Sequence, residues 1–224
     1  TWNPTTGCTK LSSGCKNCYA EKWANMQHKR GINQYRNGFE LTLAPDRLND
    51  PFKWKKSLIV FVNSMSDLFH EKVEDSYICE VFRIMNNTPQ HTYQILTKRI
   101  ERVQNLPSFI NWSNNIWLGV SVESSHFINR IEQLKATPAK VKFISFEPLL
   151  SDIAYQNYSE IDWVLVGGES GGKARPIAKE WVVSIKSNCE KANVPFFFKQ
   201  WGKRVFNPDR NDPTINKTHP LYAK

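Results

Sequence analysis

The stretch SLIVFVNSMSDLFHEKVEDSYICEVFRIMNNTPQHTYQILT, from Ser57 to Thr97, decides the fold. Ser57 to Asn63 is a continuous β-branched and aromatic run, the composition of a strand buried on both faces. Asp75–Asn86 then repeats apolar residues at helical spacing, and Thr92–Thr97 returns to a strand pattern. Strand, helix and strand in that order predict a βαβ unit with a right-handed crossover. Downstream, strands are expected at Ile116–Val122, Val141–Phe146, Asp162–Val166 and Pro195–Lys199. Upstream, Phe39–Leu43 alternates like a short strand, and Thr1-Trp2-Asn3-Pro4 reads as the end of another. Helical spacing recurs at Asn17–Lys29, Arg99–Asn105, His126–Leu134 and Ala178–Lys191. The pattern predicts a parallel-stranded (β/α)8 TIM-like barrel or partial barrel, with an open doubly wound sheet as the alternative.

No linker, repeat or low-complexity stretch divides the 224 residues, so a single domain over 1–224 is expected, with 203–224 as a polar, Pro-rich C-terminal extension. A hydrophobic fraction of 40% excludes a disordered tail, and no apolar run reaches the ~20 residues of a membrane span. No membrane partner is expected. Thirty Lys and Arg against 21 Asp and Glu give a net charge of +9, which suits a polyanionic partner.

Five cysteines are an odd number for a secreted disulfide framework, and the opening residues carry no signal-peptide core, so a reducing, cytoplasmic setting is expected. Cys8, Cys15 and Cys18 form a C-x6-C-x2-C cluster directly after the first expected strand. Thiolates select zinc, copper(I) or an iron–sulfur cluster. A structural zinc site is closed by four ligands, and the next candidate, His28, lies well into the following helix. Three thiolates on a 4Fe–4S cluster leave one iron open for a small molecule. Three readings therefore stand: an open iron–sulfur site, zinc with a distant fourth ligand, or three ordinary thiols. Cys79 and Cys189 fall in helical patterns and are expected in the core.

A three-cysteine loop after the first strand of a βα barrel resembles the radical S-adenosylmethionine superfamily. The motifs TWNPTTGCTK (1–10) and GCKNCYAE (14–21), with SFEPL (145–149), GGES (167–170), ARP (174–176) and FKQWG (198–202), resemble more closely a phage- and prophage-associated family of uncharacterised three-cysteine proteins. The resemblance implies a 4Fe–4S cluster on Cys8, Cys15 and Cys18. It also implies bound S-adenosylmethionine cleaved to a 5′-deoxyadenosyl radical, and an electron donor such as flavodoxin or ferredoxin. It departs in spacing: the superfamily's usual first gap is three residues, whereas here it is six. Its Gly-Gly-Glu motif follows strand two, whereas here it follows the seventh strand, so that role does not carry over.

The remaining site residues are expected at the C-terminal ends of strands, where barrel chemistry sits. Glu40 and Thr42 on the second strand are candidates for the methionine amino group. Asn63, Ser64, Ser121 and Glu123 are candidates for the ammonium and the ribose hydroxyls. Gly167, Gly168, Glu169 and Ser170 form a glycine-rich turn suited to a phosphate or substrate anion, with Arg175 and Lys199 adding charge. Glu147, at the end of the sixth strand, is placed as a catalytic acid/base with Lys199, or in a rim salt bridge. Basic clusters at Lys29-Arg30, Lys53–Lys56, Lys98-Arg99 with Arg102, Lys140 with Lys142, and Lys203-Arg204 recur near Trp23, Trp54, Trp112 and Trp201. Together they suggest a nucleotide, nucleobase or nucleic-acid substrate to be modified or repaired. Two other functions remain: a non-catalytic zinc-stabilised nucleic-acid-binding protein, and a phosphate-binding barrel enzyme with structural cysteines.

Overall fold

The computed structural model describes residues 1–209, so residues 210–224 of the expected extension lie outside the described residues. The chain opens beside what becomes the third strand. The Trp2 amide donates to the Phe61 carbonyl at 3.0 Å and the Asn63 amide to the Trp2 carbonyl at 2.8 Å, a parallel bridge that buries the indole completely. The next residues, β1 (Thr5–Thr6), pair antiparallel with β2 (Thr42–Leu43). Then β3 (Ile59–Val62), β4 (Thr92–Thr97), β5 (Ile116–Ser121), β6 (Val141–Phe146), β7 (Trp163–Gly167) and β8 (Phe196–Gln200) lie side by side in chain order, all parallel.

That monotonic order distinguishes the two expected folds. A doubly wound sheet reverses its strand order at a switch point, whereas sequential parallel neighbours curl one way with their helices outside. The result is a curled half-barrel, a partial TIM-like barrel. The expected second barrel strand is the exception. Thr42–Leu43 pairs antiparallel with β1 instead of entering the main sheet, because the Trp2 segment already occupies the β3 edge.

Helix α1 (Tyr19–Lys29) precedes β2; α2 (Asp75–Asn86), α3 (Ile100–Val103), α4 (Asn129–Lys135) and α5 (Lys179–Lys191) carry the later crossovers, and residues 147–162 join β6 to β7 without a helix. Helix α2 shows why the pattern was legible: Ile78, Val81, Phe82 and Met85 form one buried stripe at i, i+3, i+4 and i+7. Against such stripes the strands present Val60, Val62, Ile95, Leu118, Val120, Ile144 and Val164, all buried, each contributing about 1.5–3 kcal/mol.

The alternate residues point to the concave face, and that face is only half covered. Ile59 is 70% exposed and Phe197 53%, so β3 is not buried on both faces as its composition suggested. An open half-barrel lacks the strands that would fill its inside. Lower in the concavity Phe143 lies across Gly119, where a Cβ would enter its ring, and Phe143, Trp163 and Trp117 form an aromatic floor. Cys189 is buried as expected, but Cys79 is only half-buried on the outer side of α2. Among the described residues no helix is long and apolar enough to cross a membrane.

Candidate functional site

The cysteine loop hangs over the C-terminal ends of the strands and is held there by three clamps. It begins at Gly7, whose φ of +79° and close approach to the Glu40 carbonyl admit no side chain. The Gly7 amide donates to the Met65 carbonyl and the Cys8 amide to the Phe39 carbonyl, at 3.0 and 3.1 Å.

The first clamp is Arg99, just after β4. Its guanidinium donates to the Thr9 carbonyl at 3.1 Å, to Thr9 Oγ1 at 2.9 Å and to Cys8 Sγ at 3.5 Å. Asp67 and Glu71 hold the same guanidinium from behind, at 3.4 and 3.1 Å. The second clamp is Glu123, fully buried after β5. It accepts from Ser12 Oγ and Lys98 Nζ, and from Arg130 Nη1 at 2.9 Å. Burial pushes this carboxyl up, but Lys98, Ser12 and Arg130 outweigh burial and hold it below the ordinary range. The third clamp is Glu169. It accepts from Asn17 Nδ2, the Arg175 amide and Arg175 Nε, each at 2.9 Å. Burial raises it, yet those donors bring its carboxyl down to about 2. Arg175 then donates to the Ser13 carbonyl at 2.9 Å, joining the seventh-strand loop to the cysteine loop.

These clamps differentiate the thiols. Burial pushes Cys8 up to about 11 despite Arg99. Cys15 is also raised by burial, but the Lys98 ammonium and hydrogen bonds from Leu11 and Ser12 leave it below its ordinary value. Cys18 opens α1 and lines the cavity beneath. All three are free and half-buried. Among the described residues no group of three His, Cys, Asp or Glu side chains converges as a single-ion site. His28 does not supply a fourth ligand to the loop: it is exposed, and its Nδ1 lies 3.0 Å from the Tyr35 carbonyl.

Below the loop a cavity of about 400 Å³ opens at the strand ends, within the range of small-molecule sites. It brings together Cys18, Ser64, Glu147, Gly168, Glu169, Ser170 and Lys199 of the expected residues. Lys199 Nζ donates to Glu147 Oε2 at 3.0 Å and Gln200 Nε2 to Oε1 at 3.3 Å, the rim pair expected as one alternative.

Other expected residues lie elsewhere. Thr42 sits in the small antiparallel pair and Glu40 just before it, away from the cavity, because β2 never joins the half-barrel; Thr42 Oγ1 is occupied by Asn37 and the Glu40 carbonyl. Asn63 is buried with φ +59°, donating to Thr5 Oγ1 and Ser66 Oγ, and among the described residues its Oδ1 has no partner. The Ser121 carbonyl accepts from Arg130 at 2.8 Å, so Ser121 and Glu123 underpin the loop and do not line the cavity. The glycine-rich turn is also engaged internally. The Gly168 amide donates to the Gln200 carbonyl at 2.8 Å, and the Gly167 carbonyl accepts from the Leu149 amide at 2.9 Å. Arg175 is spent on Glu169 and Ser13.

Lys98 and Arg99 were visible as a basic pair at a strand end, but their sign suggested an external polyanion. Their partners are the loop's Cys8 and Cys15 thiols and the carboxylates of Glu123, Asp67 and Glu71 beneath it. Arg102 likewise donates to the His70 and Val73 carbonyls and to Asp75. Of the four tryptophans near basic clusters, Trp112 and Trp201 are buried, Trp54 packs on His91, and Trp23 is 47% exposed. No curated protein and no solved structure matches the chain. A family model described as protein of unknown function (DUF5131) matches residues 1–218, and the chain belongs to that family.

Proposed function

We propose that the chain is a radical S-adenosylmethionine enzyme that holds a 4Fe–4S cluster on Cys8, Cys15 and Cys18. One observation carries the reading: three free thiols on a single clamped loop, backed by the cations Lys98 and Arg99, over an open ligand-sized cavity at the strand ends. The donor set fits the group chemically. Thiolates are the ligands such clusters take, and three of them leave one iron open. When bound, the cluster supplies one-electron reduction to S-adenosylmethionine, the source of 5′-deoxyadenosyl radical chemistry.

The protein's own residues position and insulate. Lys98 and Arg99 offset negative charge on the thiolates, and the Ser12 hydroxyl, 3.6 Å from Cys15 Sγ, adds a hydrogen bond of the kind that tunes sulfur ligands. Ser64, Ser145 and Ser170 offer hydroxyls or backbone oxygens to ribose and methionine groups in the cavity. Glu147 can accept an ammonium or hold a substrate proton at its carboxylate, with Lys199 Nζ beside it at 3.0 Å. The aromatic floor of Trp117, Phe143 and Trp163 limits water from below. The proposed substrate is a nucleotide, nucleobase or nucleic acid, in keeping with the +9 charge. Electrons would come from a flavodoxin or ferredoxin in a reducing, cytoplasmic setting.

Anaerobic purification tests the reading. The protein should be brown, with absorbance near ~400 nm and about four irons per chain. Cys15→Ala should lose that colour and iron, whereas Cys189→Ala should keep both. Colourless wild-type protein carrying one zinc after anaerobic reconstitution would overturn it.

A further inference from the structure

Helix α1 leaves the cysteine loop with one face buried and the other, among the described residues, exposed. Ala20, Ala24 and Gln27 pack inward. On the outer face Tyr19, Trp23 and Met26 follow at i, i+4 and i+7, exposed by 57, 47 and 36%. Lys22, Lys29 and Arg30 are exposed on the same side of the helix by spacing, and the helix's one carboxylate, Glu21, is taken by Lys10 at 2.7 Å. The Tyr19 hydroxyl donates to the Ser64 carbonyl at 2.8 Å, so its exposed ring is presented in a fixed position.

This stripe faces the Ser170–Gly171 turn across a shallow concavity of about 260 Å³. Asn17, Tyr19 and Ser170 line both that concavity and the central cavity, so the two are continuous. Fixed aromatic rings interleaved with cations that pair with no carboxylate among the described residues are what single-stranded nucleic acid binds, bases on rings and phosphates on lysines.

We propose that the outer face of α1 is a docking platform for single-stranded nucleic acid, which stacks bases on Trp23 and Tyr19 and directs the adjoining nucleotide into the central cavity. An acidic protein would also meet the cations. A stable protein contact buries roughly 800 Å² on each partner, however, and this feature is a narrow concavity leading into a cavity. Delivery into the cavity rests on the functional reading above. Binding to α1 does not, which allows the two to fail separately.

The test is fluorescence anisotropy with a short labelled oligo(dT) or oligo(U), using the full chain in its wild-type, Trp23→Ala, Lys22→Glu and Cys15→Ala forms. Trp23→Ala should weaken binding about tenfold at a temperature where the variant remains folded. Lys22→Glu should weaken it and reduce the slope of log K against log salt by about one. Cys15→Ala should bind like wild type even if it holds no iron, so loss of the cluster leaves the platform standing. Undiminished binding by Trp23→Ala overturns the proposal, as does a wild type that binds neither oligonucleotide. Two other occupants would also overturn it. One is an acidic flavodoxin that binds in a Trp23-dependent manner while oligonucleotides do not. The other is a dimer in sedimentation that Trp23→Ala dissolves.

Discussion

Glu169 shows how much a single carboxylate organises here. It was expected to face an anion or substrate. In the structure it accepts from Asn17 and Arg175, and through Arg175 it reaches Ser13, so one buried acid sets the distance between the seventh-strand loop and the cysteine loop. Its carboxyl is held at about 2 in the fold against 4.5 for a free glutamate. A depressed carboxyl stabilises the fold fully above the unfolded value and loses that contribution as pH falls toward the folded one. Glu169→Gln should therefore cost about 2–3 kcal/mol at pH 7. The gap from wild type should shrink between about pH 4.5 and 2, as urea unfolding at several pH values would measure. A gap constant with pH would assign the cost to packing. The residue types at the site were legible: thiols, a strand-end glutamate and lysine, serines and a glycine-rich turn. Their partners were not, because Asn17–Glu169 and Arg99–Cys8 join residues 152 and 91 positions apart. Sequence spacing measures neighbours along a helix or strand, and these contacts cross the molecule.

Elements were more legible than contacts. Thr92–Thr97, Val141–Phe146 and Asp75–Asn86 coincide with their expected bounds, since strong period-2 and period-3.6 patterns leave little freedom. Phe39–Leu43 misled because alternation reports a half-buried strand and not the sheet it joins; a two-residue antiparallel pair satisfied it. The glycines carry element-level information too. Gly168 was expected to admit an anion, but what approaches its Cα is the Trp201 backbone. A Cβ there would be driven into the Trp201 carbonyl, so the close approach lets the β8 end seat against β7, with Gly168 donating to Gln200. Gly168→Ala should cost about 1–3 kcal/mol as an overpacking substitution. Amide exchange in Phe196–Gln200 should accelerate more than in β4 or β5, because among the described residues β8 is paired on one side only. Uniform acceleration across all six strands would mean that β8 does not open separately.

At the scale of the molecule, an open half-barrel divides labour between its faces. The outer face carries the stability, packed against helices; the concave face is left partly bare, with Phe61 and Leu96 half-buried above the aromatic floor. A closed barrel would fill that space with layers of side chains. Here the loop bearing Cys8, Cys15 and Cys18 roofs it, fastened to β4, β5 and the seventh-strand loop at Arg99, Glu123 and Glu169. Roof and chamber should therefore be separable by mutation. Leu96 lines the chamber and is apolar, with no part in the hydrogen bonds of the three clamps, so Leu96→Trp should obstruct the cavity while leaving those bonds to the cysteine loop in place. If the proposed cluster is held, reconstituted Leu96→Trp should retain wild-type iron content. Wild type should gain about 2.7 kcal/mol of stability at S-adenosylmethionine concentrations a hundredfold above Kd, and the variant should gain almost none. Thermal unfolding of the anaerobic protein with and without the ligand reads both. If Leu96→Trp loses iron together with ligand binding, chamber and roof form one cooperative unit. If it keeps the full ligand-induced shift, S-adenosylmethionine lies outside this cavity, and the open side of the half-barrel serves another molecule.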